Sequence, residues 1–490
     1  MNQIVLPVVL PLLAAFLMQP LARVSGLLAR VLGPLVLGLS ALILVRLWLD
    51  FGEAPFTVAI GGFAPPLGIV FYADHLALMF ALAVPVFTLL FWPGLGEGEL
   101  DPDRRARRDA LVLLLAASCT GLALSGDLFN IYVFYELAAV ATFGLATLTG
   151  TARSQVATVR YLLISAFGSA LALVGISILY MLTGTLNLGH LAQLAPHTLQ
   201  GPLGLASFAL MLIGFGVKAE LFPLNAWVPE VYATAPARVS ALLAGLVSKL
   251  AVLVVVRLLV LVFHQPEPAQ LLMVLGLLSI LTGELAAWRA KDFPRMIAFS
   301  SIGQLGIVFI AFSISGDAGL LAGIAVALHH LIVKSALFGL AARWNGSLDA
   351  LAGAARRAPL AAGLYVLFAL SLIGVPPLPG FWAKLLVLVG LAQGGSTLQL
   401  FALISVLLVT AVEASYLFRV AVRLYGQSDS PPAPPARWDL GAAAVLGAVL
   451  IGVTLATAPV ADHLRNVAHQ AGNAALYVDT VFPKTVAQKD

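Results

Sequence analysis

The sequence predicts an all-α polytopic membrane protein with about 14 transmembrane helices. Hydrophobic residues make up 61% of the 490 residues, whereas charged residues make up 10%. A soluble domain carries roughly 25% charged residues, so this chain lacks the supply needed to build a water-facing surface. The net charge of +4 is also too small to form a basic patch, which excludes a nucleic-acid-binding protein.

Cofactor and metal sites are not expected. A single cysteine excludes a disulfide framework, a cysteine-ligated zinc site and an iron–sulfur cluster held by this chain alone. The histidines have no third histidine, cysteine or carboxylate at ligand spacing. The alternating apolar and polar pattern of an outer-membrane β-barrel is also missing from the sequence.

Windows of about 20 mostly apolar residues mark the expected spans. The windows are 3–19, 28–48, 74–94, 109–125, 127–148, 158–182, 204–232, 237–263, 268–288, 295–313, 318–340, 358–390, 399–424 and 438–458. They divide the chain into an N-terminal segment (1–108), two five-helix units (109–263 and 268–424), and a last span with a short outer tail (438–490).

Basic residues alternate between the loops that connect these windows. One set of loops carries most of the arginines, including the run between Arg104 and Arg108. The basic residues assigned to the opposite side are Arg46, Arg257, Arg465, Lys484 and Lys489. Because basic loops stay in the cytoplasm, both termini are expected outside it, with the protein in the cell inner membrane.

Four lysines do not fit the loop pattern, because Lys218, Lys249, Lys334 and Lys384 lie inside apolar windows. Each intramembrane lysine costs about 2.5–3.5 kcal/mol, so together they cost on the order of 10–14 kcal/mol. Burial can lower the pKa of a lysine far enough for it to release a proton, which an arginine does not do. A row of such lysines is therefore suited to passing protons.

Glu136 and His330 complete the candidate relay. Glu136 follows Asp127, the expected N-cap of its helix, by nine residues, so it lies about 13 Å into the membrane and needs a nearby cation. Pairing with Lys218 would hold that lysine protonated, and opening of the pair would expose Lys218 to the charge of Lys249. His330 lies four residues before Lys334, on the same helix face.

Two windows, the seventh and the twelfth, are expected to be broken helices. The sequences 214–223 and 374–384 combine glycine with proline, and each break lies beside an intramembrane lysine. The breaks recur at similar positions in the two five-helix units, and an odd number of helices makes the second unit inverted, as in many transporters. The alternative is that these prolines only kink structural helices.

These motifs resemble the antiporter-like membrane subunits shared by respiratory complex I, membrane-bound hydrogenases and Mrp-type cation/proton antiporters. The matching stretches are 125–136 (SGDLFNIYVFYE), 218–230 (KAELFPLNAWVPE), 235–249, 291–304 and the break that ends at Lys384. The run from 126 to 136 is most similar to D-type Mrp subunits. The sequence departs from the family at Asn225, where many relatives carry a ring side chain, and at Glu220, an acid two residues from Lys218.

The resemblance implies that Glu136 and Lys218 form a coupling pair and that Lys249 is the central relay. It also implies that His330 and Lys334 connect the two halves and that Lys384 ends the outward route. It implies a proton-translocating subunit of a multisubunit Na⁺/H⁺ antiporter, working on H⁺ and Na⁺ with other membrane subunits in a lipid bilayer. A pumping subunit of a redox complex, such as complex I or a membrane-bound hydrogenase, is the main alternative. A structural membrane scaffold is a third.

Overall fold

The computed structural model describes residues 2–50, 52, 54–94, 101–344 and 346–483. Lys484 and Lys489, which the loop pattern assigns to the outer side, lie outside the described residues. The helices are α1 Leu6–Val24, α2 Gly26–Asp50, α3 His75–Leu90, α4 Pro102–Leu124, α5 Leu128–Ala146, α6 Ala152–Thr183, α7 Leu188–Thr198, α8 Pro202–Gly216, α9 Val228–Thr234, α10 Ala237–Leu242, α11 Ser248–Leu261, α12 Pro266–Arg289, α13 Phe293–Phe312, α14 Gly316–Leu340, α15 Ala354–Arg357, α16 Pro359–Ile373, α17 Pro379–Gly394, α18 Thr397–Tyr425, α19 Arg437–Leu455, α20 Thr457–Gly472 and α21 Ala474–Val481. A π turn, Leu243–Val247, joins α10 to α11, and 3₁₀ turns cover Asn2–Val5 and Leu348–Leu351.

The predicted fold class is confirmed. Every predicted window falls on one helix or on a consecutive group of helices. In the described part of the chain, ten helical segments are long and apolar enough to cross a membrane, and α3, α8 and α16 are shorter apolar helices. The protein is therefore a polytopic, almost entirely helical membrane protein.

Both expected breaks are present. Helix α8 ends at Gly216 and α9 begins at Val228, whereas α16 ends at Ile373 and α17 begins at Pro379. Prolines in both connections lack a backbone donor, so the helical hydrogen bonds cannot continue through them. Gly374 ends α16 with a φ of 89°, a left-handed conformation that glycine adopts without steric penalty.

Corresponding spans of the two predicted repeats begin in the same way. Asp127 caps α5 by accepting from the backbone N–H groups of Phe129 and Asn130, and Asp292 caps α13 by accepting from Arg295 N. Each cap is fixed by a returning loop, through a backbone bridge from Asp127 to Asn187 or from Asp292 to Ser347. These shared landmarks support two related units, while their inverted orientation and exact boundaries stay a prediction.

The centre of the bundle is formed by α11, α13 and α14. Nearly every residue of α11 and α13 is buried, which agrees with their lack of a polar face. Helices α1 and α2 lie at the edge and expose large apolar side chains such as Phe16 and Leu27. The polar groups of the centre are therefore enclosed by protein rather than lipid.

Two features at one end of the bundle differ from the sequence expectation. Strand β1 (Phe56–Ala59) pairs antiparallel with β2 (Val70–Ala73), and helices α20 and α21 replace the expected short tail after the last span. Strands of four residues are too short for alternation to be read from the sequence. Helix α20 is amphipathic rather than uniformly apolar, so a search for spans passes over it.

Arg257 joins these features to the core. Its guanidinium binds both carboxylate oxygens of Asp74 at 2.6 Å, and both residues are buried. Tyr477 of α21 stacks on Tyr72 of β2 with ring centroids 3.8 Å apart, beside the same guanidinium. Burial raises the pKa of Tyr72 and of Tyr477, so both phenols stay neutral next to the ion pair. Arg257 is therefore a structural anchor rather than a loop charge.

We expect Arg257→Ala to destabilise the protein by about 3–5 kcal/mol, because it leaves the carboxylate of Asp74 buried without a counter-ion. Arg46→Ala is the matched control, since Arg46 pairs with Asp50 on an exposed surface and should contribute little. Thermal unfolding of the purified protein in detergent compares the two variants. Equal unfolding midpoints would show that the Arg257–Asp74 pair does not anchor the fold.

Candidate functional site

Lys218 lies in the first break, directly after α8. Its backbone N–H donates to the hydroxyl of Tyr135 at 3.3 Å, and its Nζ lies 3.3 Å from the centroid of the same ring. Tyr135 in turn donates to the carbonyls at the end of α8. In the described part of the chain, Lys218 Nζ has no hydrogen-bond partner. The amine is therefore held by a cation–π contact rather than by an ion pair.

Glu136 follows Tyr135 on α5 and is half-buried. Its carboxylate is near enough to Lys218 for an electrostatic interaction. Neither Lys218 Nζ nor Glu136 Oε1 has a hydrogen-bond partner among the described residues, so the two side chains are not bonded to each other. The structure thus places the predicted coupling pair side by side in an open arrangement.

Lys249 is the second residue of α11, two positions after the end of the π turn. It is fully buried, and its Nζ donates to the carbonyl of Ala244 and to Ser248 Oγ, the latter at 3.0 Å. A π turn is a local widening of a helix that often occurs at functional positions. Here it presents a backbone carbonyl to the lysine, so both acceptors of the amine are uncharged.

Three polar residues of α14 bond to serines on neighbouring helices. Lys334 Nζ donates to Ser300 Oγ on α13 at 2.6 Å, and His330 Nε2 lies 3.4 Å from Ser301 Oγ. His329 points the other way, with its Nε2 2.8 Å from the hydroxyl of Ser371 on α16. His330 and Lys334 therefore share the α13 side of the helix, as their spacing predicts, and His329 does not.

Lys384 lies on α17, just after the second break, and forms an ion pair. Its Nζ lies 2.7 Å from Glu413 Oε2 on α18 and 3.4 Å from the Thr410 hydroxyl. Gln304 of α13 donates to the other oxygen of Glu413 at 2.6 Å. Both oxygens of this buried carboxylate are therefore satisfied.

Three buried acids belong to this cluster but were not assigned roles by the sequence. Glu220 is fully buried, accepts a 2.7 Å hydrogen bond from Tyr232, and interacts electrostatically with Lys249 and Lys334. Glu284 accepts from Tyr416 at 2.8 Å, and Glu413 binds Lys384. Glu284 and Glu413 lie inside apolar windows of the sequence, as the four lysines do, so the same sequence signal identifies them.

The orientation of Glu220 has no sequence signal. Its φ of 59° is a left-handed conformation that costs energy for a residue with a side chain. This turn directs the carboxylate away from Lys218 towards Tyr232 and the centre of the bundle. The acid that departs from the family pattern thus joins the central lysines rather than the Lys218 site.

Taken together, the cluster contains buried amines, carboxylates and hydroxyls on helices that converge at the centre of the bundle. Such groups exchange protons through hydrogen bonds. Within the described ranges, no three histidine, cysteine or acidic side chains are grouped so that they could hold a metal ion. The arrangement is that of a membrane subunit that moves protons.

Comparison with known proteins gives the family. Residues 125–410 match the model described as NADH:quinone oxidoreductase/Mrp antiporter, transmembrane. This match covers more than half of the chain and includes all six predicted proton-carrying residues. The chain belongs to this family.

Relatives of both functional types align along most of the chain. The chain is 32% identical over 479 residues to the N-type subunit of the NADH-quinone oxidoreductase of Desulforudis audaxviator, covering 92% of this chain and 94% of the relative. It is 31% identical over 424 residues to the D-type subunit of the Na⁺/H⁺ antiporter of Bacillus subtilis, covering 83% and 84%. The two relatives thus belong to different assemblies, an oxidoreductase and a Na⁺/H⁺ antiporter.

Solved structures of other proteins have the same fold as this chain. A subunit of the membrane-bound sulfane sulfur reductase, an archaeal respiratory complex, superposes with a TM-score of 0.91 at 28% identity, covering 98% of this chain and all of that chain. A subunit of the Mrp complex from Dietzia sp. gives a TM-score of 0.88 at 23% identity, over 98% and 99%, and supports the fold alone. Both neighbouring chains come from structures of complexes.

We expect the Lys384–Glu413 pair to show a coupling energy of about 0.5–3 kcal/mol in a double-mutant cycle. Glu413→Gln alone should destabilise more than the double change with Lys384→Met, because the single change leaves a buried ammonium without its counter-ion. Unfolding of the purified protein gives the energies. The exposed Arg423–Asp349 pair, with a 3.1 Å contact, is the control and should show almost no coupling. No coupling at the buried pair would contradict the assignment.

Proposed function

We propose that this chain is the proton-translocating membrane subunit of a multisubunit Na⁺/H⁺ antiporter. Protons would move along Glu136, Lys218, Lys249, His330, Lys334 and Lys384. The observation that carries the proposal is the burial of all four intramembrane lysines, which are between 0% and 7% exposed. Charges enclosed at such cost are expected to have a function in transport.

The first half would act as the switch. With Glu136 and Lys218 apart, the lysine rests on the ring of Tyr135, and movement of the carboxylate onto the amine would stabilise its charged form. Ion entry elsewhere in the complex could drive this movement through the break between α8 and α9. Coupling of this kind needs partner subunits, and the sodium route is assigned to them.

The proposed location is the cell membrane, with both termini outside the cytoplasm. This orientation is supported by the arginine-rich loops, which include the start of α4. Lipid would contact the exposed apolar faces of peripheral helices such as α1 and α2.

The second candidate is a pumping subunit of a redox complex. It is favoured by the 32% identity to an N-type subunit of an NADH-quinone oxidoreductase and by the TM-score of 0.91 with part of a sulfane sulfur reductase. The same proton path would then be driven by electron transfer in partner subunits, and no sodium route would be needed.

Purification from its native membrane in mild detergent separates the two candidates. An antiporter should copurify with several small membrane proteins and show no flavin or iron–sulfur absorbance. A redox complex should bring soluble subunits with those absorbance bands. The second result would overturn the antiporter proposal.

We expect Glu136→Ala and Lys218→Ala to reduce Na⁺-driven proton movement to background in the assembled complex. Lys218→Arg should do the same, because arginine keeps the charge but does not release a proton. The measurement is the pH change inside proteoliposomes after a sodium pulse. Lys291→Ala, at an exposed lysine, is the control and should remain active. Wild-type exchange by Lys218→Arg would refute proton release at this residue.

A further inference from the structure

A continuous line of hydrogen bonds runs from Lys334 to Glu284. Lys334 Nζ donates to Ser300 Oγ at 2.6 Å, and the same oxygen accepts a 2.7 Å hydrogen bond from the hydroxyl of Tyr416. Tyr416 lies 2.8 Å from Glu284 Oε2, to which it donates. An ammonium, which donates, and a carboxylate, which accepts, are thus joined by two hydroxyls, each of which can both accept and donate a proton.

Four helices contribute one residue each to the line: α14, α13, α18 and α12. Each of the four side chains is 0% or 1% exposed, so bulk water does not compete for these hydrogen bonds. Glu284 Oε1 has no partner in the described part of the chain. Only one oxygen of this carboxylate is thus occupied, whereas both oxygens of Glu413 are occupied.

We infer that Glu284 is the proton acceptor of Lys334, with Ser300 and Tyr416 as the relay between them. This inference rests on the proposed function. For the transfer, the Tyr416 proton points to Glu284 and the Ser300 hydroxyl rotates to donate to Tyr416. Lys334 then gives a proton to Ser300, Ser300 gives its own proton to Tyr416, and Tyr416 gives its own to Glu284. The products are a neutral amine and a neutral carboxylic acid, with each hydroxyl restored, so protons and charge balance without a further reactant.

The burial of the line lowers the energetic advantage of the charged form over the neutral form. Removing an ammonium and a carboxylate from water costs several kcal/mol for each ion, and their attraction offsets this cost only in part. Transfer of the proton removes both charges at once. The hydroxyls then have to rotate before the line can carry another proton, so each transfer is a separate event.

Glu284 also lies near a second buried acid, Glu413. Its carboxylate interacts electrostatically with Glu413, which holds Lys384. The line therefore ends near Lys384, the last predicted proton carrier. The sequence analysis assigned no proton-carrying residue between Lys334 and Lys384. Glu284 supplies a protonatable group at this point.

The test uses Tyr416→Phe and Glu284→Gln in the assembled complex. Tyr416→Phe keeps the ring and its packing but removes the relay hydroxyl, and Glu284→Gln removes the acceptor. We expect either change to slow proton movement in proteoliposomes by at least about 100-fold, the lower range for loss of a positioned proton-transfer group. Glu284→Asp, which keeps a carboxylic acid, should recover part of the rate.

Tyr365→Phe is the matched control, because Tyr365 is also a fully buried tyrosine but donates only to the carbonyl of Leu417. It should keep the wild-type rate. The ratio of rates in H₂O and D₂O should rise in Tyr416→Phe, since proton transfer becomes limiting, whereas a smaller fraction of folded complex would leave that ratio unchanged.

Wild-type exchange in Tyr416→Phe, or an equal loss in Tyr365→Phe, would overturn the relay. Lys218→Arg in the same assay separates the two proposals. Loss of exchange in Lys218→Arg together with normal exchange in Tyr416→Phe would reject the relay alone. Normal exchange in both would reject the proposed function as well.

Discussion

A charge buried inside a lipid-embedded bundle needs a partner, and this chain provides partners of two kinds. Buried arginines are bound directly to acids near helix ends, in the pairs Arg108–Asp109, Arg238–Asp439 and Arg257–Asp74. Arginine stays charged under all ordinary conditions, so these pairs are permanent. Two of these pairs join distant segments, since Arg238 and Asp439 are 201 residues apart in sequence and Arg257 and Asp74 are 183 apart, and these two pairs hold the helices around the cluster in place.

The central lysines have different surroundings. Lys218 rests on an aromatic ring, Lys249 on a carbonyl and a hydroxyl, and Lys334 on a hydroxyl. Uncharged partners stabilise an ammonium less than a carboxylate does, so each of these lysines loses less when its proton leaves. The carboxylate of Glu220 interacts electrostatically with Lys249 and Lys334 without forming a direct ion pair with either lysine. The arrangement keeps the amines enclosed without fixing their protonation.

The sequence predicted the parts of this arrangement that depend on composition along the chain. Spans, breaks and intramembrane lysines follow from apolar windows, prolines and a count of charges. The contact of Lys218 with Tyr135 does not, because it depends on how α5 packs against the end of α8. The turn of Glu220 requires a backbone conformation that its residue type does not favour. Helix α20 and the β1–β2 hairpin were missed because one is amphipathic and the other is very short.

The two predicted repeats differ in the chemistry around their lysines. In the predicted repeat, an offset of about 165 positions matches Lys218 with Lys384, Glu136 with Ser301 and Lys249 with Glu413. On this match, a lysine lies beside the break in both halves. Glu136 corresponds to a serine, and Lys249 corresponds to Glu413, which is the counter-ion of Lys384. Lys384 is consequently held in an ion pair, whereas Lys218 is not. The two ends of the proposed path therefore differ in what holds the amine, a carboxylate at Lys384 and an aromatic ring at Lys218. Any asymmetry of the proposed path is carried by these side-chain partners, since a lysine stands beside the helix break in both halves.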